Sequence, residues 1–306
     1  MAELSIIIPT LNEAHYLPIL LDSIKAQTYR DYEVIVSDGS SKDDTAAVAR
    51  RYGCRIIIDR KKGPGFGRNR GAEIARGKYF LFLDSDVFFP SNDFLERIMN
   101  CVKRRRIRLG TCLTEPYPAR PIDRMISPLS NAWMLATARI SPSALGFFIF
   151  VSRTVHEKIN GFDETILIGE DYNYARRAAK HAKFRIFPGL KILYSTRRLE
   201  KEGRLSLYPK CVLMSIYQGL VGEIDKPLFK YEFGNYSPPQ NSYDEILREM
   251  RLKKYRDGAP VRKILERLRE IGKSMGTMNG KKRKRHPKMR KRKKWRVKTA
   301  GTKKQG

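Results

Sequence analysis

Four short apolar runs, LSIIIP (residues 4–9), YEVIVSD (32–38), CRIIID (54–59) and YFLFLD (79–84), are separated by segments of helical character. Runs this short and this continuously apolar suit strands covered on both faces. Between the first two, Leu17, Leu20, Leu21 and Ile24 recur at helical spacing, which predicts a helix over 15–27. A second helix spans 43–53 and is stopped by Gly53, and a third spans 67–76 after the glycine-rich connection KGPGFGRNRG. This strand–helix alternation predicts an α/β fold with a mainly parallel sheet, helices on both faces, and a ligand crevice outside the carboxyl ends of the strands.

Those ends carry the chemistry. The first delivers PTLNE (9–13), the second SDGSSKDDT (37–45), the third leads into GPGFGRNRG, and the fourth ends in Asp84-Ser85-Asp86. On a strand, residues two apart point the same way, so Asp84 and Asp86 are expected to face one spot, which is unfavourable without a cation between them. The alternative is that one is a turn residue and the other a helix cap, because Pro90, Ser91, Asn92 and Asp93 follow. The glycine-rich loop matches G-x-G-x-x-G only loosely and lacks the acidic ribose reader downstream, and no G-K-[ST] of a P-loop is present.

Further on, helices are expected over 93–105, 128–139 and 169–182, and strands over 107–114, 145–151 (LGFFIFV), KFRIFP and KILYS. The helix at 169 carries Glu170 and Asp171 in its first turn, where the positive end of the helix dipole favours them whatever else they do. From about residue 205 the alternation gives way to helical segments at 205–222, 243–256 and 260–275. The expected organisation is an α/β unit over 1–204 that holds the crevice, a helical appendage over 205–275 and a disordered basic tail over 276–306.

Charge matters at that tail: of the net charge of +30, residues 281–306 supply 15 Lys and Arg with no Asp or Glu. Such a run is compatible with an anionic membrane surface or with nonspecific nucleic acid, although only Trp295 is there to stack on a base. The segment 205–222 (Leu207, Val212, Leu213, Ile216, Tyr217, Leu220) either packs on the catalytic unit or lies on a membrane surface. No apolar run approaches the roughly 20 residues needed to cross a bilayer. The amino terminus lacks the basic start of a signal peptide, and the four cysteines lack C-x-x-C spacing. A cytoplasmic chain, peripheral to the inner face of the membrane at most, is the expectation.

SIIIPTLNE, VIVSDGSSKDDT, GRNRGAEIARGKYFLFLDSD and GFDETILIGEDYNYARRA, in that order and spacing, resemble the family 2 glycosyltransferases over residues 4 to about 200. The resemblance implies the GT-A fold and inverting transfer of a sugar from a UDP- or GDP-sugar to a hydroxyl or phosphate on a glycan or lipid-linked acceptor. It places Pro9, Thr10 and Glu13 at the lip of the nucleotide pocket, Asp38 on the base with Ser40 beside it, and Arg68 and Asn69 near the phosphates. It implies that Asp84 lies near the ribose and donor sugar, and that Asp86, with Asp84, holds Mn²⁺ or Mg²⁺. Asp171, in the Glu170-Asp171 pair, falls at the general base, and Asp163 either meets the acceptor or makes a turn. Two departures stand out. Ser37 replaces an Asp common in relatives, and a late metal-binding histidine gives way to YSTRRLEKEG, where Arg197 and Arg198 can clamp a diphosphate. The competing readings are a nucleic-acid-associated protein with a vestigial site and a sugar-nucleotide binder without transfer.

Overall fold

The computed structural model describes residues 2–60, 63–139, 142, 146–166, 168–204 and 206–209. Its first part follows the expected alternation: β1 (Leu4–Thr10), α1 (Leu17–Lys25), β2 (Tyr32–Asp38), α2 (Thr45–Arg51), β3 (Arg55–Ile58), α3 (Pro64–Ile74) and β4 (Tyr79–Phe82). There follow β5 (Val87–Phe88), α4 (Phe94–Arg105), β6 (Leu109–Tyr117), α5 (Pro121–Thr137), β7 (Ile149–Ser152), α6 (Arg153–Lys158), α7 (Glu170–Ala179), β8 (Phe184–Ser195) and α8 (Arg197–Glu202). The described strands form one sheet in the order β3-β2-β1-β4-β7-β6-β8-β5. Strands β1 to β4 are mutually parallel, whereas β7 runs antiparallel to both β4 and β6. The sheet is therefore mixed, with its order reversing between β1 and β4, where a crevice opens at the carboxyl ends.

The continuous apolar runs are explained by two cores. β1 sends Ile6 and Ile8 into a layer with Leu17, Leu20 and Phe94, and sends Ile7 to the opposite face with Phe80, Phe82 and Tyr174. Each buried side chain of this size contributes roughly 1.5–3 kcal/mol. The second layer also encloses His156, whose Nδ1 lies 2.8 Å from the Tyr174 hydroxyl. Burial, with Arg153 and Arg177 nearby, pushes that imidazole down to about 4.

The structure departs from the sequence expectations at several boundaries. α3 begins at Pro64 and takes in the glycine-rich stretch, with proline in the first turn, where its missing N–H costs nothing. Its glycines permit close packing: a Cβ on Gly71 would lie 2.4 Å from Ile7 Cγ2. α5 begins at Pro121 and runs through Pro128, which had been expected near its start. KFRIFP and KILYS form the single strand β8, with Gly189 at φ +66° beside a register shift against β6. β4 stops at Phe82, so Asp84 and Asp86 lie in the turn leading to β5, and strand alternation is not what brings them together.

Arg204 and Tyr208 still pack on the fold, through Asp123. The expected helices beyond residue 209 and the basic tail lie outside the described residues. Cys54, Cys101 and Cys112 are free thiols, and among the described residues no helix is long and apolar enough to cross a membrane.

Candidate active site

Arg68 organises one side of the crevice. Its helix lies on β1 and β2, which leaves the side chain 1% exposed. Nη1 donates to Glu170 Oε1 at 2.7 Å and Nη2 to Asp84 Oδ1 at 2.7 Å, while the guanidinium sits 5.2 Å from the Phe162 ring centre. Burial works against its charge, but Asp84, Glu170 and Asp171 hold its pKa above the ordinary arginine value. Nε is buried without a hydrogen-bond partner, so the group keeps donor capacity for a ligand.

Next to it, Asp171 accepts the Gly146 N–H on Oδ2 at 2.7 Å and the Tyr172 N–H on Oδ1 at 2.8 Å. Burial pushes this carboxyl up, and Asp84 adds to the rise, against the pull of Arg68 and the two N–H groups. Glu170 is likewise raised by burial and then by Asp171, with Arg68 opposing. Asp84 is raised by burial, held back by Arg68, and raised again by Asp86 and Glu170. A Cβ on Gly146 would lie 2.7 Å from Arg68 Nη2, 3.2 Å from Asp84 Oδ2 and 3.5 Å from Asp171 Oδ2. Three of the polar groups thus close around a point that only glycine leaves open.

Arg197 organises the other side. It donates Nη1 and Nη2 to Glu13 at 2.7 and 2.8 Å and Nε to Asp86 Oδ2 at 3.1 Å, and it lies 4.2 Å from the Tyr16 ring centre. Burial pushes Glu13 up to about 7; Arg197 pulls it down and Asp86 adds to the rise. The repulsion at Asp84-x-Asp86 is therefore relieved by two buried arginines, one per carboxylate, where a cation had been expected to do it alone.

Asp38, 2% exposed at the end of β2, accepts the Thr10 hydroxyl at 3.1 Å, the Ser41 N–H at 3.0 Å and the Ser41 hydroxyl. Ser41, not Ser40, is its partner; Ser40 sits at φ +61° and donates to the Asp59 carbonyl. Pro9 packs beneath α3, where a Cβ on Gly67 would come within 3.0 Å of its own Cβ. Asn69 donates to the Phe162 carbonyl and Glu164 and accepts the Phe162 N–H, so it fastens the 161–164 loop. Asp163 closes a turn with Thr165. Arg198 pairs with Glu202 along α8, away from the carboxylates that Arg197 holds. Gly146, Ser41 and Tyr16 were missed by sequence reasoning. A glycine at the head of an apolar run was the one available signal, since it marks a close backbone approach.

The arginines donate to Asp84 Oδ1 and Asp86 Oδ2, and the oxygen donors of this pair suit a hard cation that takes its remaining ligands from phosphate and water. Among the described residues no group of three or more His, Cys, Asp and Glu is placed to hold a metal on its own. The residues fit a metal shared with a ligand, not a self-contained centre.

Residues 5–150 match the family described as Glycosyl transferase family 2. The likeness to that family lies in this segment, just under half of the chain. It is 43% identical over 100 residues to a PGL/p-HBAD biosynthesis glycosyltransferase of Mycobacterium tuberculosis, covering 31% of this chain and 39% of that one. It is 29% identical over 185 residues to glycosyltransferase AglE of Haloferax volcanii, covering 57% and 60%. The chain thus spans less than two thirds of the length of these relatives. Among solved structures, Staphylococcus aureus TarS 1–349 with UDP superposes with TM-score 0.55 at 21% identity, over 67% of this chain and 64% of TarS. The Pyrobaculum calidifontis mannosyltransferase PcManGT with GDP-Man and Mn²⁺ gives 0.53 at 21%, over 69% and 64%. These likenesses establish the GT-A fold.

Proposed function

We propose that the chain transfers a sugar from a nucleotide-diphosphate sugar to an acceptor hydroxyl or phosphate in a single displacement that inverts the anomeric carbon. The observation that carries this reading is the convergence of Asp84 and Asp171 on the point that Gly146 keeps open, beside buried Arg68. The UDP and the GDP-Man with Mn²⁺ held by the structural neighbours support it.

In this reading Asp38 and Thr10 receive the base, with Pro9, Glu13 and Ser40 at the pocket lip. Arg68 sits against the phosphates, steadied by Glu170, and Asp84 takes the ribose and donor sugar. Asn69 acts indirectly, by holding the 161–164 loop on the acceptor side. Asp86 and Asp84 would hold Mg²⁺ or Mn²⁺, which supplies Lewis-acid neutralisation of the departing diphosphate. Arg197 orients Asp86 and Glu13, while Arg198 pairs with Glu202 along α8. The acceptor oxygen forms its bond to the anomeric carbon as the bond to the diphosphate oxygen breaks, and its proton passes to Asp171. Asp171 suits the task better than Glu170, because Glu170 is committed to the Arg68 guanidinium while Asp171 is held by backbone N–H groups; both carboxyls are raised by burial, which favours proton acceptance.

A screen of UDP-, GDP- and dTDP-sugars by thermal shift, with and without Mn²⁺, tests the reading. A selective shift that grows with Mn²⁺ is expected; no shift with any donor overturns it.

A further inference from the structure

The amphipathicity of α5 is inverted. Two of its three buried residues are polar: Asp123 is fully buried and binds Arg204 and Tyr208, and Asn131 exchanges hydrogen bonds with the Thr114 backbone at 3.1 and 2.8 Å; the third is Met134. Its outward side is apolar. At roughly 100° per residue, Ile122, Met125, Ile126, Leu129 and Trp133 fall within an arc of about 100°, and no charged residue enters that arc. Met125, Leu129 and Trp133 are 73%, 70% and 56% exposed. A helix standing on a water-washed surface carries the opposite arrangement, so this face is shaped to meet something apolar.

We propose that the outer face of α5 docks on a lipid bilayer containing anionic lipid, with the stripe at the boundary between headgroups and acyl chains. The charge around the stripe fits that partner. Arg124 lies in its first turn and Arg139 follows it, both exposed, while Arg120, just ahead of the helix, is paired with Glu200. The chain as a whole carries +30, with 15 Lys and Arg and no acid in residues 281–306. Two weak signals of this kind, an apolar face and a basic cluster, together give firm membrane attachment where either alone does not. A tryptophan in the stripe suits the interfacial zone. A second copy fits less well, because it brings the same positive charge.

The start of α5 lies near Arg197. Thr196, the residue before Arg197, donates its N–H to the Tyr117 carbonyl and its hydroxyl to the Pro118 carbonyl, just ahead of α5. If the transferase reading holds, on which this last step rests, the acceptor is one carried by a lipid.

The test uses full-length protein bearing Trp295→Phe, which leaves Trp133 as the sole tryptophan. Vesicles of phosphatidylcholine with roughly one quarter phosphatidylglycerol are expected to blue-shift Trp133 emission and to quench it when the acyl chains are brominated. Leu129→Asp, at a solvent-facing position, should lower partitioning roughly tenfold with an unchanged thermal transition. Three results overturn the proposal: vesicle binding with unaltered Trp133 emission, which leaves only the tail on the membrane; emission already blue-shifted in buffer at all concentrations, which means the chain covers its own helix; or a blue shift that appears with protein concentration alone, which means a second copy does. The measurement needs neither donor nor acceptor, so failure of the transferase reading leaves it intact.

Discussion

Arg197 reaches from the start of α8 to Asp86, 111 residues earlier in the chain, and closes on its carboxylate at 3.1 Å while gripping Glu13 with both terminal nitrogens. One buried cation thereby fixes the distance between Glu13, at the proposed lip of the nucleotide pocket, and the proposed metal ligand. A guanidinium can do this because its donors lie in a planar fork; an ammonium presents a single point charge.

Removing that cation leaves two buried carboxylates facing each other. Arg197→Met should destabilise the fold by about 3–5 kcal/mol, and adding Glu13→Gln should restore part of the loss. Urea unfolding of the single and double variants measures both. An Arg197→Met variant as stable as the parent contradicts this account of the pair.

At Gly146 the prediction concerns space. A methyl group placed 2.7 Å from Arg68 Nη2 must displace a buried side chain that holds two carboxylates. Gly146→Ala should cut turnover by roughly a hundredfold, as expected when reacting groups shift by an ångström. Steady-state kinetics on the best donor checks it, with the parent rate in Gly146→Ala as the contrary result.

Asp171→Asn keeps the shape and removes the base. Donor affinity should stay within a few-fold of the parent while turnover falls about 10²- to 10⁴-fold. Calorimetry for binding and product formation for rate separate the two, and undiminished turnover refutes the assignment.

Stability should depend on His156 in acid. Burial depresses its pKa to about 4 in the fold, from the ordinary imidazole value of 6.5. Between those values the unfolded chain takes up a proton that the folded one refuses. The stabilising contribution is therefore whole above pH 6.5 and is lost as pH falls to 4, by at most about 3 kcal/mol. His156→Asn should flatten the difference in unfolding free energy between pH 7 and pH 4.5. An equal slope in parent and variant counts against it.

The sequence made the sheet readable because its strands are buried on both faces and so are apolar throughout, with Gly53 and the prolines marking stops. Ile6, Ile7 and Ile8 could not show which core each joins, but they did show that both exist. The polar network was less legible. Asp84-Ser85-Asp86 looked like the end of a strand, and only the tertiary fold reveals a turn with an arginine for each carboxylate. Those arginines, Arg68 and Arg197, come from distant helices, and local spacing carries no trace of such pairings. Asn69 and Arg198 sit in the expected motifs yet bond elsewhere, because a side chain's neighbours are set by packing. The outward apolar face of α5 was hidden for the same reason: helical periodicity identifies a stripe without saying which way it points.

The most direct test of the account is the affinity of UDP- and GDP-sugars, measured calorimetrically across a Mn²⁺ titration, for the parent and for Asp86→Ala. The account predicts donor binding that tightens with Mn²⁺ in the parent and loses that dependence in Asp86→Ala. Equal affinity and equal metal response in the two proteins would contradict it.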